Sequence, residues 1–232
     1  MTDMFKQTLR LHWKALRLAL LPLTMAAFAL PLASVQGTIA VPAREGAMAQ
    51  AAGILNALQS WLLFYPALAA ILGVSVALGV WAWDGQAKHV YALALPVTRQ
   101  KYVLSKLGSG ALLVGIPVVA LWVGSMLASA SVEIPSGLNT YPAAIAFRFL
   151  LASLIAYSTV FAVAAWSGRS ALIGISLLAG GLLVSDLMVS AAAATFAPEL
   201  AGVSPTAWVL ESMYHLPGPI GAFSGNWALI DV

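Results

Sequence analysis

The chain has 232 residues, of which 61% are hydrophobic and 8% charged, with 11 Lys and Arg against 8 Asp and Glu for a net charge of +3. A soluble domain carries roughly 25% charged residues, so this composition, with a mean hydropathy of +0.92, excludes an ordinary soluble fold and marks an all-α, polytopic membrane protein. The lack of cysteine excludes disulfides and thiolate metal sites.

In chain order, the first element is an amphipathic helix over residues 1–17. Lys6, Arg10, Lys14 and Arg17 recur at helical spacing, and Met4, Phe5, Leu9, Leu11, Ala15 and Leu16 cover the other side. Such a helix lies in the membrane interface with its cations towards anionic headgroups, or else is only a basic flank that sets topology. The length of this basic region and of the apolar run after it favours a span over a cleavable signal peptide.

Five apolar runs follow, Leu18–Val35, Leu58–Trp81, Leu107–Ala130, Ala143–Trp166 and Ala171–Ala194. Each approaches the ~20 residues that cross ~30 Å of hydrocarbon. Each must be helical, because an open structure cannot satisfy its backbone in lipid. Pro22, Pro31, Pro66 and Pro117 interrupt them as tolerated kinks. Small residues four apart at Ala111/Gly115, Gly124/Ala128 and Ser176/Gly180 permit close helix packing, a weak signal in a chain so rich in Ala and Gly.

The polar segment Asp84–Lys106 separates the second and third runs and holds Lys88, Arg99, Lys101 and Lys106. Its first half is too polar to cross a bilayer and reads as a short helix lying across the membrane face. Thr98 is placed to cap a helix starting at Arg99. Arg99 and Lys101 then occupy a first turn where the helix dipole disfavours cations, so lipid, topology or a protein partner must account for them.

With an alternating topology, Lys6, Arg10, Lys14, Arg17, the Asp84–Lys106 cations and Arg169 fall on one side. Arg44 lies opposite among Glu45, Glu133, Glu199, Glu211 and Asp231. The positive-inside rule then puts the N-terminus in the cytoplasm. A five-span count makes residues 195–232 an extracytoplasmic tail, with one short helix capped by Ser204, begun at Pro205 and stopped by Pro217. No domain boundary is evident.

Little in the chain is chemically reactive. His12, His89 and His215 sit in separate segments, and there is no HExxH spacing, carboxylate cluster or GxxxxGK[ST] phosphate loop. No catalytic, cofactor-binding or metal-binding residue is expected, and the chain is not expected to be an enzyme. Nucleic acid is not an expected partner, since the cations flank apolar spans and suit anionic lipids.

The order Trp83-Asp84-Gly85-Gln86, then Ala92-Leu93-Ala94-Leu95-Pro96-Val97-Thr98-Arg99, then Tyr102-Val103-Leu104 and Lys106-Leu107 resembles the loop between the second and third spans of ABC-2 type permeases. These are the membrane subunits of one class of ATP-binding-cassette exporter. The resemblance implies that Asp84, Gly85, Gln86, Lys88, His89 and Tyr91 lie in a coupling helix that docks on a separate cytoplasmic ABC ATPase. Pro96, Arg99, Lys101 and Lys106 would form the hinge into the third span. It also implies a second permease copy or homologue, an elbow role for the N-terminal helix, and residence in the cytoplasmic (inner) membrane. Gln86 stands where the family often has glutamate. Members commonly add a sixth span, whereas five are read here.

Arg148 and Asp186 lie inside the fourth and fifth runs. Charges there are costly and usually face a partner or a cavity. Three readings stand: a structural Arg148–Asp186 pair, a lining of the substrate path, or Arg148 snorkelling alone. Apolar spans with few fixed charges suit a lipidic or amphipathic substrate. The alternative to an exporter subunit is a structural or assembly subunit of a larger membrane complex. A secondary transporter is disfavoured because polar groups near the midplane are few.

Overall fold

The computed structural model describes residues 2–39, 47–59, 61–86, 98–132, 138–167, 205, 223 and 227–231. Helix α1 spans Thr2–Ile39, α2 Ala47–Gln59, α3 Phe64–Gln86, α4 Arg99–Ala130 and α5 Pro142–Ser167, with two-residue strands β1 (Asn139–Thr140) and β2 (Ile230–Asp231). Two compact units are distinguishable, Met1–Phe161 with Asn226–Val232, and Ala162–Gly225. The contacts below belong to the first.

Four helices, α1, α3, α4 and α5, are long and apolar enough to cross a bilayer. The all-α, polytopic architecture expected from composition is therefore present. The fifth expected span, Ala171–Ala194, and most of the 195–232 tail lie outside the described residues. Large apolar side chains face outwards along the helices, among them Leu18 at 78% and Met25 at 67% exposure. That is costly in water and favourable in lipid.

Two boundaries differ from the sequence reading. The first span does not begin a new helix at Leu18, and α1 runs through Arg17 and Leu18 without interruption, as the basic-flank reading has it. No Gly or Pro occurs between Thr2 and Leu21 to stop it. At ~1.5 Å per residue the helix is ~57 Å long, well beyond the hydrocarbon thickness. Second, Leu58 does not begin the second span. It ends α2, whose Ile54 and Leu58 are buried and whose length of ~20 Å is too short to cross. Trp61 N–H donates to the Leu58 carbonyl (3.0 Å) and Phe64 N–H to the Trp61 carbonyl (3.1 Å), which closes a turn before α3. Pro66 then falls in the first turn of α3, where a helix has unpartnered N–H groups and a missing one costs little.

Helices α1 and α4 run parallel. Ser105 Oγ lies 3.4 Å from Thr8 Oγ1 and His12 Nδ1 2.7 Å from Ser109 Oγ, the same offset one turn apart. Further along, Gly124 lies against the Phe28 backbone. Helix α3 runs antiparallel to α1, with Gly79 under Leu16 near one end and Tyr65 against Ser34 near the other. Gly73 lets α3 approach α5 at Ser153, Ala156 and Tyr157. Hydroxyls within α4 bond back to their own helix, Ser125 Oγ to the Leu121 carbonyl and Ser129 Oγ to the Ser125 carbonyl, each at 2.8 Å.

At the end where α4 stops and α5 starts, residues 227–231 return to the helices. Strand β2 pairs antiparallel with β1, Asn139 opposite Asp231 and Thr140 opposite Ile230. Tyr141 N–H donates to the Leu229 carbonyl at 3.0 Å. Trp227, Leu229 and Ile230 are buried. The Trp227 ring stacks on Tyr65 at 6.3 Å between centroids and 13° between planes. Ser34 Oγ donates to the Pro31 carbonyl at 2.8 Å, so the Tyr65 hydroxyl donates to Ser34 Oγ at 3.3 Å. Tyr65→Phe keeps the stack and removes one hydrogen bond. The expected loss is about 1 kcal/mol, read as a small fall in thermal unfolding temperature.

Candidate functional site

Seven of the eight described Lys and Arg residues, Lys6, Arg10, Lys14, Arg17, Arg99, Lys101 and Lys106, lie in the half of the helix group where α1 and α4 begin and α3 and α5 finish. Arg148 lies towards the opposite end. The clustering of cations expected from sequence is therefore a property of one end of the helix group.

The structure distributes the Asp84–Lys106 residues unevenly. Asp84, Gly85 and Gln86 are the last residues of α3, so the helix continues past the expected loop boundary. Lys88, His89, Tyr91 and Pro96 lie outside the described residues. Thr98 is the N-cap of α4, as its position predicts, with φ −63° and ψ 140°. Its side chain makes no capping bond, and the first helical bond runs from Tyr102 N–H to the Thr98 carbonyl at 3.1 Å. Arg99 opens α4, and Lys101 is exposed within its first turn.

Lys106 is different. It lies two turns into α4 and is only 4% exposed. Its ammonium donates to the Val80 carbonyl of α3 at 3.0 Å and sits over the rings of Trp81 (4.5 Å) and Tyr102 (5.1 Å). Trp81 packs in turn on Phe161 of α5 at 5.2 Å, and Phe161 on Tyr157 at 5.6 Å. The Trp81 indole N–H is buried and finds no acceptor among the described residues.

The backbone of the same lysine is also a junction. Ser109 Oγ donates to the Lys106 carbonyl at 2.9 Å. The Tyr157 hydroxyl is shared between the carbonyls of Leu107 (3.1 Å) and Lys106 (3.3 Å). Ser109 has one hydroxyl hydrogen; with the Lys106 carbonyl served, His12 Nδ1 carries the proton and donates to Ser109 Oγ. Gly110 has no side chain because the Tyr157 hydroxyl occupies the place of its Cβ. One residue thus ties α4 to α3 through its ammonium, to α5 through Tyr157 and to α1 through Ser109 and His12. This joint sits at the roots of the two helices that flank the polar segment.

At the other end, Arg148 holds its guanidinium 5.5 Å from the Trp227 ring centre. It lines a cavity of about 180 Å³ with Tyr141, Ala144, Ile145, Ala228 and Asp231. Asp186, its expected partner, lies outside the described residues. The described carboxylate that shares this cavity wall is Asp231, from the tail. Sequence reasoning missed Trp227 and Asp231 as structural partners. The only local signal was a short apolar group, Trp227, Leu229 and Ile230, in a tail with no other span-like character.

Residues 48–210, well over half of the chain, match the family described as ABC-2 family transporter protein. The chain belongs to the ABC-2 transporter family. No curated protein and no solved structure matches it. The matched stretch of this ABC-2 protein opens in α2 and holds α3, the polar segment, α4 and α5. The Lys106 joint is therefore in the family region, whereas its α1 contributor, His12, precedes it. Membership makes the chain a permease-like, multi-pass membrane component of a transporter.

Proposed function

We propose that this chain is the membrane-spanning permease subunit of an ATP-driven exporter, and that residues 84–106 carry the force of a separate cytoplasmic ABC ATPase into the helices. The observation that carries this reading is the Lys106 joint. A push on the segment between Gln86 and Thr98 reaches α3 and α4 at their roots. Those roots are fastened to each other at Val80 and Lys106, and to α1 and α5 within one turn. Displacement of the segment then moves helices as a set instead of fraying one end, because packed helices shift between discrete arrangements.

The basic end faces the cytoplasm of the inner membrane by the positive-inside rule, with the N-terminus on that side and residues 227–231 outside. Lys88, His89 and Tyr91 supply the docking chemistry, with Asp84–Gln86 as the helical approach and Lys101 as an exposed cation beside it. A second permease copy or homologue completes the translocation path. The cargo is lipidic or amphipathic, in keeping with spans that carry few fixed charges.

Pull-down of the full chain in mild detergent tests the reading. An ABC ATPase is expected to co-purify, and to be lost when residues 84–91 are replaced by a Gly-Ser segment while the chain still inserts. Recovery of other integral membrane proteins and no ATPase overturns it in favour of a structural subunit.

A further inference from the structure

Between exposed side chains of α1 and α4 lies a groove of about 500 Å³ lined by Leu9, Arg10, Trp13, Leu112, Leu113 and Ile116. Leu113 forms a buried floor, while Trp13, Leu112 and Ile116 are 42%, 56% and 39% exposed. Apart from Arg10 the lining is apolar.

The charges around it are not scattered. Lys6, Arg10, Trp13 and Arg17 follow one another at spacings of four, three and four, so they share one face of α1. Lys101 stands three helical turns before Leu112 and so lies on the same face of α4. Against seven Lys and Arg, the helices at this end carry two carboxylates, Asp3 and Asp84. The groove therefore has a cationic mouth and an apolar floor.

Depth in the membrane agrees. The Thr8–Ser105 and His12–Ser109 contacts fix the register of α1 on α4, which sets Arg10 level with Leu107 and Trp13 level with Gly110. From Gly110 to the end of α4 at Ala130 is ~30 Å of helix, the hydrocarbon thickness. Trp13 and Arg10 thus stand at the headgroup boundary, where tryptophan prefers to lie. Leu112, Leu113 and Ile116 lie just inside the acyl region.

We infer that this groove is a binding site for one anionic phospholipid of the leaflet at the basic end, its phosphate held by Arg10 with Lys6 one turn further out, and one acyl chain on Leu112, Leu113 and Ile116. The site is separate from the Lys106 joint and does not depend on the ATPase. Charge complementarity selects the headgroup, and the apolar floor holds the chain whatever the headgroup.

Native mass spectrometry of the full chain, titrated with phosphatidylglycerol or with phosphatidylcholine of the same acyl chains, tests this. One phosphatidylglycerol per chain is expected, retained at least about fivefold more tightly than phosphatidylcholine, since a single Lys or Arg at a membrane surface contributes about that factor. Arg10→Gln, a change at an exposed position, should reduce the preference about fivefold. Ile116→Trp should fill the groove and weaken both lipids alike, with helicity by circular dichroism unchanged. Equal retention of the two lipids, or a preference untouched by Arg10→Gln, overturns the proposal. So does an Ile116→Trp variant that keeps its lipid and instead changes from dimer to monomer, which would make the groove a contact between copies.

Discussion

With the function proposed above, Lys106→Met is expected to leave the chain folded and able to bind an ABC ATPase while slowing ATP-dependent transport by tenfold or more. The change removes a charged hydrogen bond to the Val80 carbonyl, of the kind that contributes about 1.5–3 kcal/mol. It also removes ammonium contacts with the Trp81 and Tyr102 rings, each about 0.5–2 kcal/mol. Against this, burying an ammonium costs several kcal/mol in desolvation, and buried charges replaced by apolar groups of similar volume are often neutral. Methionine keeps most of the stem, so the terms nearly cancel and folding stability should move by no more than about 2 kcal/mol. What does not cancel is direction. An ammonium fixes one carbonyl of α3 to one position of α4, whereas a thioether lets the two roots slide. Transport and ATPase rates measured on reconstituted complexes should therefore separate, with hydrolysis continuing and transport falling. Lys101→Met, at an exposed position on the same helix, serves as control for stability alone and should leave it within about 0.5 kcal/mol. Wild-type transport by Lys106→Met would reduce the joint to packing and sink the force-transmission role.

Composition and Lys/Arg placement made the class, the run of spans and the charged end legible. The start of α4 was legible to the residue, because Thr98 suits an N-cap. The side-chain cap itself is missing, which sequence could not show: the Thr98 backbone is in place, and rotamer choice is left to the surroundings. Lys106 closes the polar segment in the sequence, whereas in the structure it is buried in α4. In a membrane helix both the core face and the lipid face are apolar, so periodicity does not separate them. Lys106, Ser109, Gly110 and Leu113 recur at three- and four-residue spacing and prove to be the packed face of α4. In a soluble helix that polar content would have marked solvent. The split between α2 and α3 was missed for a related reason. Hydropathy measures how apolar a stretch is, while helix ends are set by turn bonds such as Phe64 to Trp61 and by proline position. The return of Trp227 to Tyr65 is a long-range contact that no local pattern encodes.

The two glycines of α4 that the sequence offered as packing positions are expected to respond in opposite ways to the same substitution. A Cβ on Gly124 would collide with the Phe28 carbonyl and its neighbouring backbone atoms on α1. Backbone inside a helix does not move aside as a flexible side chain does, so Gly124→Ala must push α1 and α4 apart or shift their register. Overpacking typically costs about 1–3 kcal/mol, and this site belongs at or above the top of that range because the obstruction is main chain. A Cβ on Gly115 meets nothing within 4 Å. There the only change is the better helix propensity of alanine, worth up to about 1 kcal/mol in favour of the variant. Thermal unfolding in detergent, followed by circular dichroism, should show Gly124→Ala well below the wild-type midpoint and Gly115→Ala at or above it. The loss should spread along the seam, since the Thr8–Ser105 and His12–Ser109 contacts depend on the register that Gly124 permits. Equal midpoints for the two variants would mean that α1 and α4 do not approach each other closely at Gly124, and the depth assigned to Trp13 from their register would fall with it.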